Sequence, residues 1–498
     1  MNAVRSAFSR TKPGVTAPVL TAKSDDASLP APELLYLLLS RISFGVNALQ
    51  WEQARFAGYD AWLDGQLYHE SIDNSGLETQ LASVLPTLAM SNGQILQLVR
   101  DGGSQGQAAT ELTAATIARQ TFSQSQLFEV MVQFWSNHFA MFIGDGAVRY
   151  YKTVDDREVI RKHALGNFGD LLKATARSPA MLYSLDNYLN VATGPNENYA
   201  RELLELHTMG VNGGYTEDDV KAVARAFTGW AFTGYNPANG QNDVVFAFIR
   251  GRHDTAPKRV LGIDMPRGRG IEDGEQVLDI LIDHPATARF IAFKLVRHFV
   301  SDQPPEALVD AVAERYLETR GDIKSMLRTL FRSDEFKGSH DEKIKRGSDY
   351  VVSALRATGA TTGTDWLRSI TAQLTSLGQL PFQWPTPDGY PDVGAYWVNT
   401  SSMLNRWNYA MALAEGRLGA ISIDINALSG NARSPAEIVD GLASRVLHRP
   451  LAPSDRAALI AFVANGGNGN APVAANQRTM RVQECLGMLL SSTYFMYR

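Results

Sequence analysis

The chain has 498 residues, 45% of them hydrophobic, with a formal net charge of −5 at pH 7. That is enough apolar material for one large body or two or three ordinary domains, and the mild acidity gives no reason to expect nucleic acid or an acidic membrane as partner. The single cysteine, Cys485, excludes an intrachain disulfide and a zinc site built on several thiolates; in its helical setting it reads as a small core residue.

Residues 1–30 are small, polar and proline-punctuated, and they are expected to form a flexible arm. They lack the central apolar run of a secretory signal and any twin-arginine pair. The apolar stretch at 33–40 is too short to span a bilayer, so no transmembrane segment is expected. The expected location is the cytoplasm, or the periplasm if a signal-bearing partner carries the chain out. Residues 31–498 read as a single large helical domain with a candidate subdivision near 340.

Helical periodicity predicts helices over 31–42, 47–57, 75–86, 92–101 and 107–121. The stretch 123–144 reads as a strongly apolar helix. At 100° per residue Leu127, Met131, Phe134, Trp135 and Phe142 share a face, with His138 at its centre and Asn137 at its flank. Further helices are predicted over 154–164, 167–175 and 178–184.

The stretch from Asn196 to Trp230 holds the densest set of ionisable residues at helical spacing. Tyr199, Ala200, Leu203, Leu204 and Leu206 form one arc, and Glu197, Arg201, Glu202, Glu205 and Thr208 lie on the other. His207 falls in the apolar arc, where its ring nitrogens need partners from elsewhere. Glycines at 210 and 213–214 can end that helix, and Thr216 with Asp219 starts the next in a short-armed capping box. Beyond Trp230, β-branched and aromatic alternation around Asn, Gly and Pro predicts a small β-hairpin insertion near 230–262. Its loop carries His253 and Asp254, with Lys258 close behind.

Helices return over 273–282, 284–300, 305–318, 321–331, 346–358 and 365–377. Proline and glycine then deny residues 378–397 regular structure. Trp384, Tyr390 and Trp397 in that segment, with Asp388 and Asp392, offer either an aromatic platform for a sugar or peptide or a set of anchors packing a long loop. Helices over 400–415, 435–447, 453–464 and 477–492 complete a mainly α fold.

Several of these segments, taken in order, resemble one bacterial family, domain of unknown function 1800. They are LLSRISFG (38–45), FWSNHF (134–139), NENYARELLELHTMGVNGGYT (196–216), FTGW (227–230), HDTAPK (253–258), HPATARFIAFKL (284–295) and PDGYPD (387–392), with Trp397 and Trp407 beyond. The resemblance implies genes that neighbour a second family of the alkaline-phosphatase-like class, and so a candidate protein partner. Family members often carry an export signal, which is not seen in this sequence.

Two function classes follow. The first is an enzyme with a buried His/Glu/Asp site, its catalytic candidates being His207, His138, Glu202, Glu205, His253 and Asp254. Histidine with carboxylates suits general acid–base work, or hydrolysis or oxidation assisted by a divalent transition metal with His138 and His207 as its ligands. Asn137, Arg201, Trp230, Lys258, Trp384, Tyr390 and Trp397 are the candidate substrate contacts. The second class is a non-catalytic assembly partner of the phosphatase-like protein. Each histidine also has a plain structural explanation as a satisfied core residue, and Glu197, Arg201 and Glu205 as a surface ion-pair ladder.

Overall fold

The structure is a computed structural model and describes residues 29–498. The arm expected over 1–30 lies outside the described residues as far as residue 28; Leu29 is buried against the core. The described chain is mainly helical (61%), with three small two-stranded antiparallel sheets. No helix of it is long and apolar enough to cross a membrane.

Among the described residues the apolar core has two main pieces, divided close to residue 340, and two small satellites. One joins residues from Leu37 to Phe336 with Val352, and the other gathers Leu29, Ile117 and residues from Ile344 to Met496. Cys485 belongs to the second, fully buried, and burial pushes its thiol up to about 12. Two buried guanidiniums bind the pieces together. Arg356, on the Gly347–Thr358 helix, donates to the carbonyls of Gly45 and Thr121 and to Gln50 Oε1. Arg41, on the Leu34–Ile42 helix, donates to the carbonyls of Phe299, Val300, Ser339 and Arg498. Each satisfies main-chain acceptors at chain ends and turns that no helix or strand could.

Three of the differences from the periodicity bear on the candidate site. The apolar helix expected over 123–144 runs only from Gln126 to His138. The following chain leaves it to pair with the irregular segment, Ile143 N donating to Phe382 O at 3.1 Å, so tertiary pairing overrides local pattern there. The single hairpin expected near 230–262 is two, Trp230–Phe232 with Phe246–Phe248 and Lys258–Val260 with Ile263–Met265. The second closes through Leu261 and Gly262, both at positive φ as a tight hairpin turn requires. Leu261 is held in that conformation by its N–H, which donates to Asp219 at 2.7 Å. The third difference is in the helix that carries His207. After Asn198–Glu202 it widens into a π-helical turn over Leu203–Thr208, in which Met209 N bonds back five residues to Leu204 O.

Candidate functional site

That π turn sets the position of His207. Widening rotates the residues after Leu203 relative to an α-helical wheel. Thr208, expected on the polar arc, is therefore fully buried, with its hydroxyl donating to Leu203 O at 2.6 Å. Gly210 then turns the chain at φ +77°, which leaves the His207 carbonyl without an intrahelical donor. A side chain at Gly210 would also strike the Phe290 ring at 2.8 Å.

His138, the last residue of its helix, fills that vacancy. Its Nε2–H donates to His207 O at 3.0 Å, and the two imidazole centroids are 6.1 Å apart. The shared placement expected of the two histidines is therefore met. Their rings do not bond each other: His207 Nε2 is buried with no hydrogen-bond partner among the described residues.

The other nitrogen of His138 meets a residue that periodicity did not single out. Lys294 Nζ lies 2.8 Å from His138 Nδ1. With Nε2 carrying the proton toward His207 O, Nδ1 is the acceptor and the lysine donates. Lys294 lies on the Pro285–Phe299 helix, one turn after Phe290, whose ring is 5.5 Å from the ammonium, and one turn before His298. Part of its side chain reaches solvent, yet its ammonium sits in interior surroundings. Burial, reinforced by the charge of Arg297, pulls Lys294 down to about 7. Burial and the same lysine hold His207 near 3 and His138 well below the usual imidazole range. Both histidines are therefore neutral near pH 7, and the lysine is divided between its two forms.

His298 continues this face, its Nδ1 2.6 Å from Asp392 Oδ2. Burial works against the Asp392 carboxylate, but His298 and Lys343, with Arg346 beyond, hold it well below the usual range. Asp392 belongs to the irregular segment, which is clamped onto the end of the His138 helix. Asn137 Nδ2 donates to Tyr390 O at 2.9 Å and Asn137 Oδ1 accepts from Tyr390 N at 2.7 Å. Gly389, at φ +74°, allows the close approach, since a Cβ there would lie 2.2 Å from Asn137 O. Asn137 is thus a positioning residue.

Glu202 stands apart from its neighbours. Arg201 forms a surface ladder with Glu197 (3.3 Å), Glu205 (3.6 Å) and a two-pronged bond to Glu217, as the structural explanation anticipated. Glu202 forms no ion pair among the described residues, and burial, together with the charges of Glu205 and Asp388, raises its carboxyl. Asp388 also acts on Lys294, so its charge reaches both the carboxyl of Glu202 and the amine of Lys294.

The remaining candidates lie elsewhere. His253 is buried in a separate cluster, its Nδ1 2.8 Å from Thr228 O and its Nε2 3.3 Å from Asp273 Oδ2, which also accepts from Lys258 at 2.7 Å. Asp254 pairs with Arg225 at 2.6 Å and caps its own turn through Ala256 N. None of these partners is shared with His138 or His207. Trp230, expected among the substrate contacts, is fully buried between Phe227 and Phe246, because the strand it opens faces the core. Trp397 is likewise buried, donating to Pro391 O at 2.9 Å and supporting Tyr390. Trp384 and Tyr390 are half-buried and line a cleft of about 670 Å³, open mouth included.

No three His, Cys, Asp or Glu side chains among the described residues come together in a group that could hold a metal ion. Both ring nitrogens of His138 are engaged by protein groups. What the geometry offers is an amine and a carboxyl displaced toward neutral pH from opposite sides.

Lys294 was the residue missed. The available signal was a lone lysine in the otherwise apolar run FIAFKLV. The chain matches the family described as "Protein of unknown function (DUF1800)" over residues 37–497. No curated protein and no solved structure matches it. The matched span contains every helix and loop that builds the site, and the chain belongs to the DUF1800 family.

Proposed function

We propose that this protein is an enzyme of the hydrolytic, proton-transferring kind, with Lys294 as base and Glu202 as acid. The observation that carries this reading is the contact of Lys294 Nζ with His138 Nδ1 at 2.8 Å, in a setting where the lysine forms no ion pair among the described residues. An amine that is neutral near pH 7 can accept a proton from an attacking water, becoming the ammonium that His138 Nδ1 already accepts from. His138 is held to the matching tautomer by the His207 carbonyl. Glu202, whose carboxyl is raised by burial and by the charges of Glu205 and Asp388, is the proposed proton donor to the leaving group, and return of the proton from the Lys294 ammonium to Glu202 through solvent resets both groups. Asn137 and the Tyr390 main chain fix the irregular segment against the end of the His138 helix.

Trace acetylation with acetic anhydride across a pH series, read by mass spectrometry of Lys294 peptides, tests this without a known substrate. Lys294 should become reactive with a midpoint near 7, and surface lysines near 10.5. A Lys294 that titrates with the surface set removes the base from the proposal. The assembly role beside a phosphatase-like partner would then be the leading account.

A further inference from the structure

The cleft that Trp384 and Tyr390 line is a second feature, independent of whether Lys294 reacts. It opens between the Gln107–Phe122 and Gln126–His138 helices on one side and the irregular segment on the other. Its ionic groups are neutralised internally. Glu129 makes a two-pronged bond to Arg161 at 2.8 and 2.9 Å, and Arg346 is held by Asp349 at 3.0 Å and by Gln133 Oε1 at 2.6 Å. A charged ligand entering here would therefore find no uncommitted opposite charge, and its desolvation would go uncompensated.

Neutral polar groups are left over instead. Gln120 is only 2% exposed, and its Oε1 has no hydrogen-bond partner among the described residues. Ser136 Oγ, one helix away, is also buried and unpartnered. Both line the cleft. Buried polar atoms ordinarily have a partner, so two of them just behind the lining of one cleft point to a ligand or water that offers hydroxyls once the side chains turn toward it. Above them stand the rings of Trp384 and Tyr390, whose centroids are 5.0 Å apart and tilted by 50°. Trp384 is braced by its Nε1–H, which donates to Asp388 at 2.9 Å, and Tyr390 by its hydroxyl, which donates to Leu380 O at 2.7 Å. Their polar tips are thus occupied, and the two rings, packed in turn on Tyr396 and Trp397, stay only half-buried where they line the cleft.

We infer that this cleft binds an uncharged polyhydroxylated ring, a single sugar unit or the end of a neutral glycan. Its C–H face would pack on Trp384 and Tyr390, and its hydroxyls would meet Gln120 and Ser136. One ring with hydroxyls on its edge and C–H bonds on its face matches both halves of the lining. A peptide would present amides to the aromatic faces, and a phosphorylated ligand would lack a counter-charge.

Saturation-transfer NMR on the full chain tests the assignment. The probes are the methyl glycosides of glucose, galactose and mannose, N-acetylglucosamine and inositol, with citrate and a glycine-capped dipeptide as comparators. At least one neutral probe should receive saturation, concentrated on the protons of one face. Trp384→Ala should lower its affinity by about tenfold, the loss of one aromatic contact. Gln120→Leu, an apolar near-isostere at a buried position, should lower it while the chain stays folded. Lys294→Met should leave it unchanged, which separates failure of this site from failure of the proposed base. Saturation of citrate or the dipeptide alone, of no probe at all, or saturation indifferent to both cleft substitutions would overturn the inference.

Discussion

Replacing Lys294 by methionine isolates the free energy that the fold spends on burying an amine. Methionine keeps an unbranched chain of similar length and removes the charge. The unfolded chain holds the lysine proton up to about 10.5, whereas the folded chain releases it near 7. That difference corresponds to about 5 kcal/mol of discrimination against the ammonium within the fold. Below about 7 both states carry the proton and the native state bears the full penalty. Between 7 and 10.5 the unfolded state binds more protons than the native one, so stability rises with pH. Wild type should therefore gain about 2.7 kcal/mol on the variant between pH 6 and pH 9. The variant leaves His138 Nδ1 without its donor, a cost of about 1 kcal/mol. That cost does not vary over this range, because His138 stays neutral throughout it. At pH 6 Lys294→Met should accordingly be the more stable protein by a few kcal/mol, with the order closing or reversing as pH rises. Urea unfolding of both proteins at half-unit pH steps measures the difference directly, and other titrating groups cancel in it. A difference that stays constant from pH 6 to 9 would mean that Lys294 titrates as an ordinary surface lysine, and the base assignment would fall with it.

His207→Gln keeps one donor and one acceptor at similar size. With Nε2 already unpartnered, the variant should unfold within about 1 kcal/mol of wild type. Elemental analysis of both untagged proteins goes with it, and a stoichiometric metal lost on substitution would replace the lysine mechanism with a metal one. Gly389→Ala forces a Cβ to 2.2 Å from Asn137 O at φ +74°, so it should cost about 1–3 kcal/mol and loosen the irregular segment, read by urea unfolding and by proteolysis after Phe382. Arg356→Met strips the donors from the carbonyls of Gly45 and Thr121 and from Gln50 across the two core pieces. It should cost about 3–5 kcal/mol and separate the unfolding of the two halves in calorimetry; a small loss in a single transition would show that the apolar contacts alone unite them.

Much of this architecture was legible because helices advertise themselves by period and glycine by position. The Gln126–His138 face, the burial of His207, the Thr216–Asp219 capping box and the irregularity of 378–393 all follow from local pattern; the expected irregular stretch ends sooner, in a short helix over Gly394–Trp397. The proximity of His138 and His207 was legible for a different reason. A histidine at the centre of an apolar face must find its partners across a helix interface, and two such helices have few other places to send them. What the pattern could not carry was any feature set by a tertiary partner. The π turn at Leu203–Thr208 exists because the chain accommodates one extra residue between fixed neighbours, and a wheel drawn at 100° per residue misplaces Thr208 for that reason. The early end of the His138 helix depends on Phe382, more than two hundred residues away in sequence.

Lys294 is the sharpest case, because its chemistry depends wholly on what surrounds it. In sequence it is one lysine among many, and a lysine beside phenylalanines on a helix usually sends its ammonium past the apolar surface to water. Here that route is blocked by Phe290 beneath and His138 in front, and Asp388 and Asp392 lie near enough to act on it without forming an ion pair. Had either aspartate closed to contact distance, the lysine would be an ordinary buried cation with a structural role. Asp392 is kept back by its own bonds to His298 and Lys343, and Asp388 by Trp384 and Thr386. The irregular segment therefore does more than pack against the His138 helix. By holding both carboxylates on other partners, it leaves Lys294 in the state in which an amine can accept a proton.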